Sequence, residues 1–237
     1  EDILVENCRI KSRCNAIKFG TETNGGFSNI LMRNIEIFDS RITGISVESV
    51  DGAHIDHLHF ENITMENVGT PFFVHLGKRM RGPSHLTIGS IRDVSFKNIT
   101  AKGPYQLYHC LPWNYDSFLR KDTIQFPGFY SKDKVEAPGT WQITSNVCGL
   151  INHPLKNITF ENITLELDGG VSSFETKVRD EPQPYPEVNT YGRYLPAAAI
   201  YFRDVAGLKL KNIQVKLIHD DARPLFVFDR VEDLIRV

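Results

Sequence analysis

What the sequence lacks narrows it first. No apolar run approaches the ~18 to 20 residues of a membrane-spanning helix, and no basic stretch followed by an apolar run opens the chain. With 27 Lys and Arg against 29 Asp and Glu, the net charge of -2 supplies neither a basic footprint for nucleic acid nor a polybasic membrane anchor. A small neutral or anionic ligand stays open. There is no Gly-rich phosphate loop before a helix, no GxSxG and no placeable Cys/His nucleophile pair. The four cysteines, Cys8, Cys14, Cys110 and Cys148, form no CxxC pair and no metal spacing, and His153 and His219 have no partners at metal spacing. A Cys110 to Cys148 disulfide stays open beside the reading of Cys8 as a small buried hydrophobe. Finally, no helical i, i+3, i+4 stripe runs through the first hundred residues.

What is present is a repeat. A six-residue unit recurs as VENCRI with Asn7, MRNIEI with Asn34, FENITM with Asn62, FKNITA with Asn98, FENITL with Asn162 and LKNIQV with Asn212. The steps between the asparagines are 27, 28, 36, 64 and 50 positions, the longer ones carrying insertions. Each unit is apolar and β-branched, is broken by Asn, and is followed about nine residues later by a second short strand. Such a unit cannot bury itself, so the expectation is stacked coils forming an all-β parallel β-helix, a solenoid. The 41% hydrophobic content suits one domain over 1–237. Because strand-like sequence begins at Ile3 and runs to VEDLIRV, the chain reads as the C-terminal coils of a longer protein.

Asn tolerates left-handed backbone at a sharp corner, and stacked corners stack its amides. The same residues create sequons at Asn62, Asn98, Asn157 and Asn162, so turn geometry and glycosylation are both open readings. Two stretches break the period. One, about 102–142, is loop-like and aromatic; the other, 169–195, is rich in Pro and Tyr. They either cover the flank of the coil or wall a groove with rings for a sugar.

The candidate site comes from three aligned segments, CNAIKFGTE, GISVES and PFFVHLG. Ile17, Ile45 and Phe72 share one column, Phe19, Val47 and Val74 another, with Lys18, Ser46 and Phe73 between them. A period of two turns the apolar pair inward and the middle residue outward. The outward row holds Asn15, Lys18, Ser46, Glu48, Phe73 and His75, with Lys78 and Arg79 at its edge. Strands at ~4.8 Å pitch suit an extended polymer such as a sugar chain. Cations along the row suit a uronic-acid polymer, although a Lys18–Glu48 ion pair across neighbouring strands accounts equally for those two charges. Glycoside hydrolysis needs two carboxyl groups, ~5 to 5.5 Å apart for retention or ~6.5 to 9.5 Å for inversion, and the row supplies only Glu48. Asp220 and Asp221 form an acidic pair at a corner, where a turn role is expected.

The strings NCRIKSRCNAIKFGTETNGGFSNI, GISVESVDGAHIDHLHFENIT, VGTPFFVHLGKR and DARPLFVFD resemble glycoside hydrolase family 28, the polygalacturonases and related rhamnogalacturonan hydrolases. The resemblance implies a right-handed parallel β-helix, no metal or organic cofactor, and inverting hydrolysis of galacturonic-acid-containing chains. The family's acid-bearing motifs would precede Glu1. Its Gly-His-Gly falls on Cys14, Asn15 and Ala16, and its Arg-Ile-Lys on Ser46, Val47 and Glu48, so both cations are replaced. The expectation is a secreted or periplasmic, monomeric, pectin-active glycosidase whose partner is an acidic plant polysaccharide or oligosaccharide, with no nucleic acid or membrane partner. Glu48 is the catalytic candidate in this chain, or else orients Lys18. Asn15, Lys18, Ser46, His75, Lys78 and Arg79 are the substrate-binding candidates. A uronate lyase or epimerase, or a non-catalytic carbohydrate-binding coil, is the alternative.

Overall fold

The computed structural model describes residues 1–103, 144–171, 178–180, 182, 186–188, 190–192 and 195–237. The aromatic stretch and Cys110 therefore fall almost wholly outside the described residues. The described chain is all strand: β1 (Ile3–Lys11), β2 (Ile17–Phe19), β3 (Gly26–Ser49), β4 (His54–Leu76), β5 (Ser90–Lys102), β6 (Ser145–Cys148), β7 (Leu155–Gly169), β8 (Ile200–His219), β9 (Phe226–Glu232) and β10 (Ile235–Arg236).

Every paired strand is parallel. The column Cys8, Ile35, Ile63, Ile99, Ile163, Ile213 is a true register, one residue per strand. So is the row Lys18, Ser46, Phe73 between its two apolar columns. Alternation explains both, since residues two apart share a face and the apolar set must share the buried one.

The solenoid expectation is corrected by the pairing map. β4 pairs β5, β5 pairs β7, β7 pairs β8, β8 pairs β6, and β6 returns to β4, closing a five-strand parallel barrel with β1, β2, β3, β9 and β10 added outside it. The physical reason is that the two short strands inferred per unit are single long strands that bend. β4 gives residues 54–66 to β5 and 73–75 to β6, while β8 gives 200–203 to β6 and 205–219 to β7. A strand bent through two partners lets the ladder come back on itself.

The barrel interior is apolar. Phe60, Phe96 and Phe160 stack from consecutive strands, with ring centroids 5.2 and 4.6 Å apart. Phe72 and Phe202 meet them edge-on from the opposite wall. All five rings are fully buried, each contributing ~1.5 to 3 kcal/mol by burial and ~0.5 to 1.5 kcal/mol per well-placed ring pair.

The six repeated asparagines sit at the bends with φ between 51° and 56°, the left-handed region that Asn tolerates through its short polar side chain. Their amides form one ladder: Asn34 donates to Asn7 at 3.3 Å, Asn62 to Asn34 at 3.1 Å, Asn98 to Asn62 at 3.0 Å, Asn162 to Asn98 at 2.8 Å and Asn212 to Asn162 at 3.0 Å. At the one sequon outside this ladder, Asn157 donates to Asp93 at 2.8 Å. The turn role expected of these residues is what the backbone displays.

Candidate functional site

The site grows from β2. Ile17 and Phe19 face the core, so Lys18 between them must face the other way. In register with Lys18 on that outer face come Ser46, Phe73, Asn146 and Tyr201; two residues further along each strand, from β3 onward, come Glu48, His75, Cys148 and Arg203. The row thus points away from the core, as its alternation requires.

It is not the open trough anticipated. Ser46 is 0%, Glu48 1% and His75 1% exposed, because described residues of 178–191 lie across them. Val188 packs on Phe73 and accepts a hydrogen bond from Asn146 Nδ2 at 3.0 Å. Tyr191 stands edge-on to His75, with centroids 5.7 Å apart, and lies under the Arg203 guanidinium at 5.2 Å. Arg203 donates to the carbonyls of Arg179 at 2.6 Å and Asp180 at 3.2 Å. The described residues of the Pro- and Tyr-rich stretch therefore cover this flank.

Burial changes what several candidates can do. His75 was expected as a cation for acidic groups; burial pushes its pKa down to about 3, so the ring is neutral at physiological pH. Its imidazole stacks on Phe73 at 5.5 Å, and neither ring nitrogen has a hydrogen-bond partner among the described residues. Ser46, beneath the cover, donates its hydroxyl to Glu48 and is not presented to a ligand.

Glu48 accepts from Lys18 Nζ at 3.0 Å, from Thr21 Oγ1 at 3.1 Å and from Ser46 Oγ. Only 1% exposed, its carboxylate is taken up by these three bonds, one of them to the Lys18 ammonium. The Lys18–Glu48 ion pair is real, yet the Lys18 side chain remains 28% exposed. The cation reaches solvent while its counter-ion does not.

Arg79, expected at the rim to grip a carboxylate, is instead buried against Asp51: its Nε donates to Oδ1 at 3.0 Å, its Nη2 bonds Oδ2, and the Arg81 main-chain N–H adds a bond at 2.9 Å. Burial pushes the Asp51 pKa up, but the Arg79 and Arg81 bonds outweigh it and hold the carboxyl below its usual range. This pair pins the chain after β4. Lys78 stays exposed beside it. Asn15 accepts from Thr43 Oγ1 at 2.7 Å, which ties the entry to β2 onto β3. Asp221 serves its turn, accepting from Arg223 Nε and the Arg223 main-chain N–H, each at 2.9 Å. Cys148 is a free buried thiol. Among the described residues no group of three or more His, Cys, Asp or Glu could hold a metal ion.

One residue escaped the sequence reading. Glu187, half-buried on the covering segment beside Val188, is pushed up to a pKa of about 7 by burial, with Lys18 pulling it down and Glu48 pushing it up. Its only sequence signal is an acid inside the aromatic run PYPEVNTY, which no spacing rule singles out. Lys18, Glu48 and Glu187 thus share one electrostatic cluster drawn from β2, β3 and the cover.

Fold and site together define an all-β chain with a closed parallel barrel and a covered polar face in which buried Glu48 holds a solvent-reaching Lys18. Comparison with protein-family models, with curated proteins and with solved structures finds no match.

Proposed function

We propose that the chain serves a glycoside hydrolase acting on pectic polysaccharide, cleaving galacturonic-acid-containing chains with inversion in a secreted or periplasmic setting. The observation that carries the reading is Lys18: an ammonium fixed by a buried carboxylate at 3.0 Å yet reaching solvent. A preorganised cation of that kind suits the carboxylate of a uronate, because its own positioning is settled before the sugar arrives. The strings that resemble glycoside hydrolase family 28 span Lys18 and Glu48, and the resemblance suggests the reaction class. In this reading Glu48 positions Lys18, and the exposed Lys78 adds a second cation at the rim.

The test is incubation with polygalacturonate. New reducing ends without products absorbing in the ultraviolet support hydrolysis. Absorbing unsaturated products point to a lyase, and binding without any product points to a carbohydrate-binding protein; either outcome sinks the proposal. Lys18→Met is expected to raise KM at least about tenfold through loss of a charge-assisted contact.

A further inference from the structure

In the turn between β2 and β3, one amide reaches across to a different segment of the chain. Asn24 Nδ2 donates to the Asp51 carbonyl at 2.8 Å and to the Arg81 carbonyl at 3.3 Å. It also lies against Gly82, where a Cβ would come within 2.8 Å of Nδ2 and 3.1 Å of Cγ. The segment it meets, 77–89 between β4 and β5, is tied at its start by the Gly77 and Met80 N–H groups and by Arg79 on Asp51, and is exposed over 81–85. Asn24 therefore clasps the peptide bond between Arg81 and Gly82. Asn24 is also the only asparagine of the sequence that precedes a glycine. The ladder asparagines Asn34, Asn62, Asn98, Asn162 and Asn212 are each followed by isoleucine inside a strand, where a branched side chain crowds the nitrogen and pairing fixes the backbone. At Gly25 nothing lies within 4 Å of where a Cβ would stand, and both Asn24 and Gly25 are exposed. A nitrogen on so unhindered and permissive a backbone can reach the neighbouring carboxamide.

We propose that Asn24 and Gly25 form a self-modifying site whose reaction undoes the clasp. The Gly25 nitrogen attacks Asn24 Cγ and bonds to it. The bond from Cγ to Nδ2 then breaks, and Nδ2 leaves as ammonia with the proton that Gly25 gives up. Water opens the resulting succinimide ring at one of its two carbonyls: breaking the new bond at Cγ leaves aspartate, and breaking the bond to the Asn24 main-chain carbonyl carbon leaves isoaspartate. Water is the one co-reactant, and nothing is oxidised or reduced. Either product replaces the amide donor with a carboxylate. At neutral pH that group has no proton to give, so it meets the Asp51 and Arg81 carbonyls as a third acceptor and both bonds are lost. The bonds at Gly77, Arg79 and Met80 do not involve Asn24, so the release begins at Arg81 and runs toward 82–85. The inference stands apart from the hydrolase reading.

Ageing the full chain in buffer and weighing its tryptic peptide 19–33, which holds Asn24 and Asn29, tests the chemistry against an unaged sample. The peptide should gain about 1 Da at Asn24, partly as isoaspartate, at a rate rising on the order of tenfold per pH unit between roughly 6 and 8, because the deprotonated nitrogen attacks. Gly25→Ala, for which there is room, should slow the gain at least about tenfold and leave the Asn24 bonds in place. Brief trypsin treatment of the folded chain reads the clasp. Cleavage between Arg81 and Gly82 should be roughly fivefold faster in Asn24→Asp than in wild type, the effect of losing about one net hydrogen bond on local opening. Aged wild type compared with fresh should show the same acceleration, which keeps the reading available if Asn24→Asp does not fold. An Asn24 unchanged after ageing at the higher pH, a gain at Asn29 instead, or a Gly25→Ala variant that ages as fast as wild type overturns the proposal. So does cleavage at Arg81 that is indifferent to the state of Asn24.

Discussion

Two outward faces of the sheet have β3, β4 and β8 in common and treat their polar groups in different ways. On the open face, the ladder from Asn7 to Asn212 is exposed to water, and each amide from Asn34 onward donates to the residue one layer before it. On the covered face, the His75 ring nitrogens, Asn146 Oδ1 and Arg203 Nε are buried without hydrogen bonds among the described residues. Water would have satisfied the first face with no ladder at all, whereas only protein can satisfy the second. A buried polar atom left unbonded costs ~1 to 3 kcal/mol, so a chain built for stability alone would pair the covered face first. The difference teaches that the repeat pairs its side-chain amides from one layer to the next, whereas the covered face, though it bonds Glu48 and the Arg203 guanidinium, leaves four buried atoms unbonded among the described residues.

The comparison breaks most dramatically at Asp51, the carboxylate that neutralises Arg79 beside the covered face. Asp51→Ala removes the carboxylate that takes two bonds from a guanidinium only 5% exposed and is expected to cost about 3 to 5 kcal/mol in urea denaturation. A loss under about 1 kcal/mol would mean that solvent reaches the covered side.

The next effect is on pH. His75 is a base whose folded pKa, about 3, lies below its unfolded value of 6.5. The folded state binds fewer protons than the unfolded state in this interval, so the stability tied to a neutral His75 is fully present above about 6.5 and is lost as pH falls toward 3. Roughly 3 kcal/mol should disappear between pH of about 6.5 and 4, by the conversion of ~1.4 kcal/mol per pKa unit. Glu187 runs the opposite way, its folded pKa raised from 4.5 to about 7, so it favours the folded state as pH falls across that range. Denaturation across the acid range in Glu187→Gln therefore isolates the His75 loss, which should be steeper there than in wild type.

On the open face the expected effect is smaller. Asn98→Ala removes two ladder bonds and asks alanine to hold a φ of 54°, at about 2 kcal/mol together. Asn98→Gly should recover about half, because glycine takes that backbone freely and only the bonds are lost. Equal losses for the two variants would assign the whole effect to the ladder and none to the bend.

How much of this was legible in the residues divides along the same line. The Cys8, Ile35, Ile63, Ile99 column and the asparagine bends were readable because in-register pairing forces a sequence period, and 27 and 28 positions are the spacings of the first two ladder bonds. Barrel closure was not readable, since nothing in β4 distinguishes one bent strand with two partners from two short strands. Nor was the burial of Ser46 and His75. What covers a face lies in 178–191, an aperiodic stretch whose position no pattern encodes, and Glu187 arrives only with it. Alternation says which way a side chain points, and says nothing of what it meets there.

The smallest expected effect is the most telling about the covered face. His75→Phe keeps a planar ring between Phe73 and Tyr191 and removes both unbonded nitrogens. By packing alone, the variant should match wild type at neutral pH within about 1 kcal/mol or exceed it, because deleting an unsatisfied buried polar group relieves its desolvation penalty. The same change should abolish the acid-side loss assigned to His75. If the phenylalanine variant is instead destabilised by more than about 2 kcal/mol at neutral pH, the imidazole has a partner that its surroundings do not reveal, and the contrast between a satisfied open face and an unsatisfied covered one fails at its centre.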